Sequence, residues 1–375
     1  MTYSENMINV TWLILAFSWL IYSYGFVDLN LTISSNPHWL AFLAPLQHLV
    51  YFNRPLSLQI FVALIILSYL AYSITLLLSQ PNRFPWKWVI IITGIFSLAY
   101  PLLSADSFKY LFAAKELLLY HANPHVVPPN AFPDDLWIRF MRWVHTPSPY
   151  GPVETLLAIP PYLLGLGRFV PALFLLKIQN WGFYLLTVWC IRKLSDNKAA
   201  LFFALNPLVL VEWLINAHND AGMIALLLLA MYYLLSRRKR VLSIVTLLLS
   251  VGIKFVTVLY LPFIILKKRI PTYLANYTLL VALAAAPLLY NYTTQYQPWY
   301  VTWLVPLAAL VDTKWVRWTV AAYSLSVLSR YLSYVGTGFW ETNQLTLVLS
   351  TFTLPAVVAL IGGSMTLAKA WRNRL

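Results

Sequence analysis

The chain has 375 residues, 60% hydrophobic and 10% charged, with a net charge of +14 and a mean hydropathy of +0.69. A water-soluble protein of this length needs far more charge to cover its surface, so the composition excludes a soluble fold and implies an all-α polytopic protein with the lipid bilayer as its solvent. The basic residues do not gather in one patch, which argues against nucleic acid as a partner, and a single cysteine, Cys190, excludes an internal disulfide.

In chain order, the first apolar run, 8–26, lacks a basic leader and a small-residue cleavage site, so it reads as a span rather than a cleaved signal peptide. Further runs of spanning length fall at 56–79, 88–103, 169–191, 200–216, 221–236, 272–290, 298–312, 316–335 and 344–368. The run 241–266 lies between two basic turns and reads as two short helices meeting near Gly252 and Lys254, which brings the total to about twelve crossings. Segment 152–166, "PVETLLAIPPYLLGL", is too short and too proline-broken to cross alone and reads as an interfacial or re-entrant helix. It closes a long connection, 104–168, that is richer in charge, histidine and proline than its surroundings.

Lysine and arginine concentrate at turns. Arg83 and Lys87, Arg192, Lys193 and Lys198, the runs 237–240 and 267–269, Lys314 and Arg317, and Lys369, Arg372 and Arg374 make up seventeen of the 26 basic residues, with only Asp196 and Asp312 as acids among them. This bias predicts cytoplasmic turns and cytoplasmic termini, with 104–168 on the extracytoplasmic face.

Several polar groups then fall on that outer side. "SADSFKYLFAAKELLLY" opens like a helix that Ser104 or Asp106 can cap, with Asp106, Lys109, Tyr110 and Ala113 at one-face spacing and Leu111, Leu117 and Leu118 suited to lying on a membrane. A solvated cap and its neighbour would look the same. "NPLVLVEWLINAHND" starts a span at Asn206 and Pro207 and carries Glu212, Asn216, His218, Asn219 and Asp220 at its outer end. A polar loop accounts for Asn219 and Asp220, but Glu212 lies a turn inside an apolar run, where an ionisable group is costly without a partner or cavity. Lys254 is a lone cation at a hairpin tip, and "QPWYVTW" brings Trp299 and Tyr300 to the same boundary, where an aromatic belt is the ordinary reading. A carboxylate base, cations for a phosphate and aromatic faces for a sugar are the parts of a lipid-linked glycosyl-transfer site.

Five stretches, "DSFKYLFAAKELLLYHANPH", "SPYGPVETLLA", "NPLVLVEWLINAHNDAGMIALLLLA", "VGIKFVTVLYLP" and "QPWYVTWLVPL", resemble in sequence and order the GT-C superfamily of integral-membrane glycosyltransferases. Within that superfamily they are most similar to the bacterial polyprenyl-phosphomannose-dependent mannosyltransferases. The resemblance runs over about residues 88–310, departing at Asn123-Pro124-His125, where the family usually has "NPY", and in two extra spans ahead of the long loop. It implies one membrane domain in a bacterial plasma membrane, with helices 1–87 ahead of a catalytic core over 88–312 and C-terminal helices over 313–375. It also implies a polyprenyl-phosphate donor, inverting transfer of a hexose, namely mannose, to a glycan or glycolipid acceptor, and Asp106 as catalytic base. Lys254, His218 and Lys109 are then the candidates for the donor phosphate, and Tyr110, Tyr150, Glu212, Asn219, Asp220, Trp299 and Tyr300 for sugar or acceptor. The sequence requires no metal or other cofactor. The rival is a secondary transporter or flippase, since intramembrane charges also mark solute pathways.

Overall fold

The structure is a computed structural model that describes residues 3–78, 83–289 and 296–372. The run ends expected at 79 and 290, and Arg374, lie outside the described residues. No strand occurs among the described residues. Among the described residues, five helices are long and apolar enough to cross a membrane, over Asn6–Gly25, Arg54–Leu78, Phe169–Leu194, Thr272–Leu289 and Gln344–Thr366. Counting one bent pair, Asn197–Ala204 with Pro207–Ile215, gives up to six.

The expected runs appear with shifted ends. Helices α1 (Tyr3–Gly25), α3 (Arg54–Leu78) and α4 (Trp86–Leu98) follow the first three. Between α1 and α3 lies α2 (Pro37–Leu49), which hydropathy alone misses. Its start is marked locally: Asn36 accepts from the His38 N–H, and Pro37 occupies a first-turn position where no backbone donor is needed.

The connection between 104 and 168 holds α5 (Asp106–Leu118) and α6 (Pro152–Leu164). The expectation that α5 lies on the membrane is wrong. Residues Ser107 to Glu116 are all buried, and the helix is the centre of a second apolar cluster with Phe140, Trp137, Tyr162 and the start of α7 (Phe169–Leu194). Lys115, paired with Asp135 at 2.5 Å and lying 4.4 Å from the Trp137 ring centroid, ties the loop to this helix.

The run 200–216 is broken. α8 (Asn197–Ala204) and α9 (Pro207–Val209) meet where Asn206 is extended, and the pair bends by 52°. Pro207 cannot continue the ladder of α8, and Asn206 caps the new helix by accepting from the Val209 N–H. The chain then widens into a π-helix, Leu210–Ile215, and Ala217 takes a left-handed conformation at φ 57°. Two carbonyls at the end of this segment, Leu214 and Ile215, accept from the buried Lys177 ammonium at 2.6 Å each. That cation satisfies carbonyls the irregular turn leaves open.

α10 (Asp220–Leu235) is followed by α11 (Arg240–Val251), and α11 forms a short hairpin with a helical return over Phe255–Tyr260 and α12 (Leu261–Ile265). The break falls at Gly252 and Lys254, as the sequence predicts. The tip docks on α6 through backbone bonds from Gly151 N to Ile253 O and from Val153 N to Gly252 O, both 2.9 Å. α13 (Thr272–Leu289) follows, then the short helices α14 (Pro298–Thr302) and α15 (Leu304–Ala309) in place of one run over 298–312. α16 (Lys314–Ser326) and α17 (Leu332–Thr337) replace the run 316–335, and α18 (Gln344–Arg372) closes the chain. Buried indoles bond hydroxyls on neighbouring helices, as from Trp12 to Thr75, Trp19 to Ser68 and Trp213 to Thr302, so polar ring edges are satisfied without water.

Candidate active site

Ser104, Ala105 and Asp106 begin α5, but Asp106 does not cap it. The cap position is Ala105, and the Ser104 hydroxyl accepts from the Asp106 N–H at 3.2 Å. The Asp106 carboxylate is thereby left to the tertiary structure. Its Oδ2 accepts from the Tyr150 hydroxyl at 2.9 Å and lies 3.7 Å from His218 Nδ1. Tyr150 stands in turn against Tyr110, with ring centroids 4.9 Å apart at 82°.

His218 is fully buried among three carboxylates. Its Nε2 is 3.3 Å from Glu212 Oε2, and its Nδ1 is 4.0 Å from Asp220 Oδ2 in addition to the Asp106 contact. The imidazole stacks on Trp299 with centroids 4.6 Å apart. Glu212 accepts from Tyr331 at 2.8 Å and from Asn216 at 3.1 Å, and Asn216 accepts from the Leu103 N–H just ahead of α5. This network explains how a carboxylate survives inside an apolar run: it is fully partnered.

Asp106 and Trp299 line a cavity of about 620 Å³ together with Arg54, Arg139, Arg142 and Arg330. Of the candidate base, phosphate and sugar residues named from sequence, Asp106 and Trp299 line that wall. His218 and Glu212 are fully buried and are not part of that lining. Tyr110 and Tyr150 pack beside the carboxylate. Tyr300 is in ring contact with Trp299 and Trp303 rather than on the wall, and Asn219 is buried beside Asp220.

Two expected phosphate ligands have protein partners. The Lys254 ammonium donates to both Asp220 oxygens, at 2.8 and 2.9 Å, and Asp220 also accepts from the Trp303 indole. The run 241–266 carries no carboxylate of its own, but α10 supplies Asp220, so Lys254 already has an anionic partner within the protein. Asp220 is correspondingly engaged by protein groups rather than open to a sugar. Lys109 donates to Trp143 O, Thr146 O and Thr146 Oγ1 within 3.0 Å, which directs all three of its donors to the loop carrying Arg142.

A broken span feeding a buried polar network, beneath a long loop whose first helix presents a carboxylate to a cavity, matches the order of motifs in the sequence. The family described as alpha-(1->6)-mannopyranosyltransferase, N-terminal domain, matches residues 15–268. The chain belongs to that family. A relative, alpha-(1->6)-mannopyranosyltransferase A of Mycobacterium tuberculosis, is 26% identical over 215 residues, which are 54% of this chain and 41% of the relative. The chain thus spans less than half of that relative's length in the match. No solved structure matches it. The family match stops at residue 268, whereas Trp299, Arg330, Tyr334 and Trp340 complete the cavity from beyond it.

The arginines on the wall escaped the sequence reading, although a signal existed. Setting aside the seventeen basic residues at turns leaves nine of 26, and four of those nine, Arg54, Arg139, Arg142 and Arg330, line this cavity.

Proposed function

We propose that this membrane protein transfers mannose from a polyprenyl-phosphate-linked donor to a glycan or glycolipid acceptor, forming an α-(1→6) bond at the extracytoplasmic face. The observation that carries the reading is the Asp106 carboxylate, held by Tyr150 and exposed to a cavity lined by cations and an indole. The acceptor hydroxyl attacks the anomeric carbon. The new C–O bond forms as the bond to phosphate breaks, its electron pair leaves on the phosphate oxygen, and the hydroxyl proton passes to Asp106. A single displacement inverts the anomeric carbon, so an α product calls for a β-linked donor. Phosphate leaves already charged, so arginine can stabilise it and no metal is demanded by this chemistry.

The sidedness rests on the helix ends. α10 begins at the site with Asp220 and ends beside Arg237, while α11 begins at Arg240 and ends at the site beside Gly252. Basic turns thus stand at the opposite end from Asp106, which supports an extracytoplasmic cavity; cytoplasmic termini and about twelve passes, several of them broken, belong to the same proposal. Polar groups gathered at one end also disfavour a transporter, whose sites lie near the midplane.

The test is reconstitution of the purified full-length chain with prenyl-phosphate mannose and a short mannan acceptor. Formation of an α-(1→6)-extended product is the expected result. Transfer from a nucleotide sugar alone, or from no prenyl-phosphate donor, would refute the donor assignment.

A further inference from the structure

With Lys254 and Lys109 engaged by protein groups, the cations that face the cavity are arginines. Arg54 begins α3, and its guanidinium carbon lies 4.6 Å from the Tyr51 ring centroid and 5.0 Å from that of Phe26. Its Nη1 is buried without a hydrogen-bond partner. Arg142, from the loop after α5, lies 5.4 Å from the Tyr334 ring and 5.8 Å from that of Trp340. Tyr334 stacks on Trp340 at 4.7 Å and contacts Phe26 at 6.0 Å. One run of rings therefore carries both guanidinium groups on the same cavity wall.

Among the described residues, no carboxylate lies within ion-pair distance of Arg54 or Arg142. The nearby acids have local duties. Asp28 accepts from the Tyr51 hydroxyl and the Asn30 N–H, and Glu341 accepts from the N–H groups of Thr342 and Asn343. A guanidinium held by its faces keeps its edge N–H groups for a ligand, and their fork matches two oxygens of a phosphate. A buried, unpartnered donor at such a wall is costly unless an anion meets it.

We propose that Arg54 and Arg142 form the binding site for the phosphate of a prenyl-phosphate lipid, the group common to the donor and the released carrier. This rests on the transfer reading above and replaces Lys254 and Lys109 as its phosphate ligands. When the bond from the anomeric carbon to the phosphate oxygen breaks, the electron pair arrives on an oxygen these two forks already hold. Arg142 depends for its position on Lys109, which fixes the loop at Trp143 and Thr146, and on Tyr334 and Trp340 from beyond the family match.

The experiment measures binding of a short-chain prenyl phosphate to the purified full-length protein by tryptophan fluorescence, with the matching prenol and inorganic phosphate as separate ligands. Arg54→Gln and Arg142→Gln should each weaken prenyl-phosphate binding by about 10–100-fold, the worth of a hydrogen-bonded charge, with binding of the prenol unchanged. Arg54→Lys and Arg142→Lys keep the charge, cover the case of a glutamine variant that fails to fold, and should retain part of the affinity. Wild-type affinity for prenyl phosphate in all folded variants would overturn the arginine assignment and leave mannosyl transfer standing. Inorganic phosphate binding as tightly as prenyl phosphate would overturn the lipid as the source of the anion. A wild-type protein that neither binds prenyl phosphate nor uses its mannosyl ester would instead remove the transfer reading itself.

Discussion

The Tyr150 hydroxyl donates to Asp106 Oδ2 across 2.9 Å, joining residues 44 positions apart. This bond separates the two readings of Asp106, helix cap and catalytic base, that the sequence leaves open. A capping aspartate turns its oxygen to its own helix, whereas this one turns to a tyrosine and a cavity. Asp106→Asn keeps the size and much of the hydrogen bonding but removes the base. It should lower kcat by about 10²–10⁴-fold, the usual share of general-base catalysis, with prenyl-phosphate affinity near wild type. Steady-state kinetics on the purified variant decide the matter, and near-normal turnover would end the base assignment. Tyr150→Phe should cost far less, because it removes an orienting bond and leaves the base.

The pairing of Lys254 with Asp220 makes a different prediction from a phosphate ligand at the same position. Breaking a buried pair from one side leaves an uncompensated charge and costs about 3–5 kcal/mol. Lys254→Met should therefore lower thermal stability markedly, and Lys254→Met with Asp220→Asn should regain a large part of it. A thermal-melt double-mutant cycle reads the coupling directly. Lys254→Met that melts like wild type and alters only the KM for donor would show that the pair is dispensable.

Gly151 and Gly252 bring two backbones into contact where α6 meets the hairpin tip. A β-carbon on Gly151 would fall 2.1 Å from the Gly252 carbonyl oxygen, and one on Gly252 would fall 2.4 Å from Val153 Cγ2. The first clash is with backbone and cannot be accepted without separating the elements. Gly151→Ala should cost at least the ~1–3 kcal/mol of overpacking and loosen the bonds to Gly252 and Ile253. Protease cleavage within 252–256 gives a local readout, and an unchanged pattern would count against docking at this point.

Glu116, on α5, is buried and has one oxygen without a hydrogen-bond partner. Burial pushes its carboxyl up to about 8, with Lys109 drawing it partly back. The folded value lies above the ordinary 4.5, so the fold favours the neutral form. Its contribution is complete below about pH 4.5 and is lost as pH rises through about 8. Glu116→Gln should melt like wild type in mild acid and higher than wild type above about pH 8. Parallel melting curves for the two proteins across that range would show that Glu116 does not titrate in this way.

How much of the site was legible depended on the kind of signal each residue gives. Glu212, His218 and Asp220 stood out because polar groups in an apolar run are costly, and all three do lie in one buried network. The cost argument locates such residues but does not say which groups satisfy them. Lys254 is a lone cation along the chain, yet Asp220, 34 residues away, is in contact with it. Arg54 and Arg330 gave no local motif at all. α2 was missed for another reason: its Asn36-Pro37 start is a helix signal, but hydropathy windows do not register caps.

The sequence by itself determined the solvent, the break near Gly252 and the family, because composition, motifs and backbone chemistry are local properties. Only the tertiary structure decided which cations face the cavity. Nothing along the chain marks a cation as free or engaged; what decides it is whether a carboxylate or carbonyl from a distant segment has already reached it. For Lys109 and Lys254 one has. Arg54 and Arg142 rest on aromatic faces instead, which leaves their hydrogen-bonding edges for an anion.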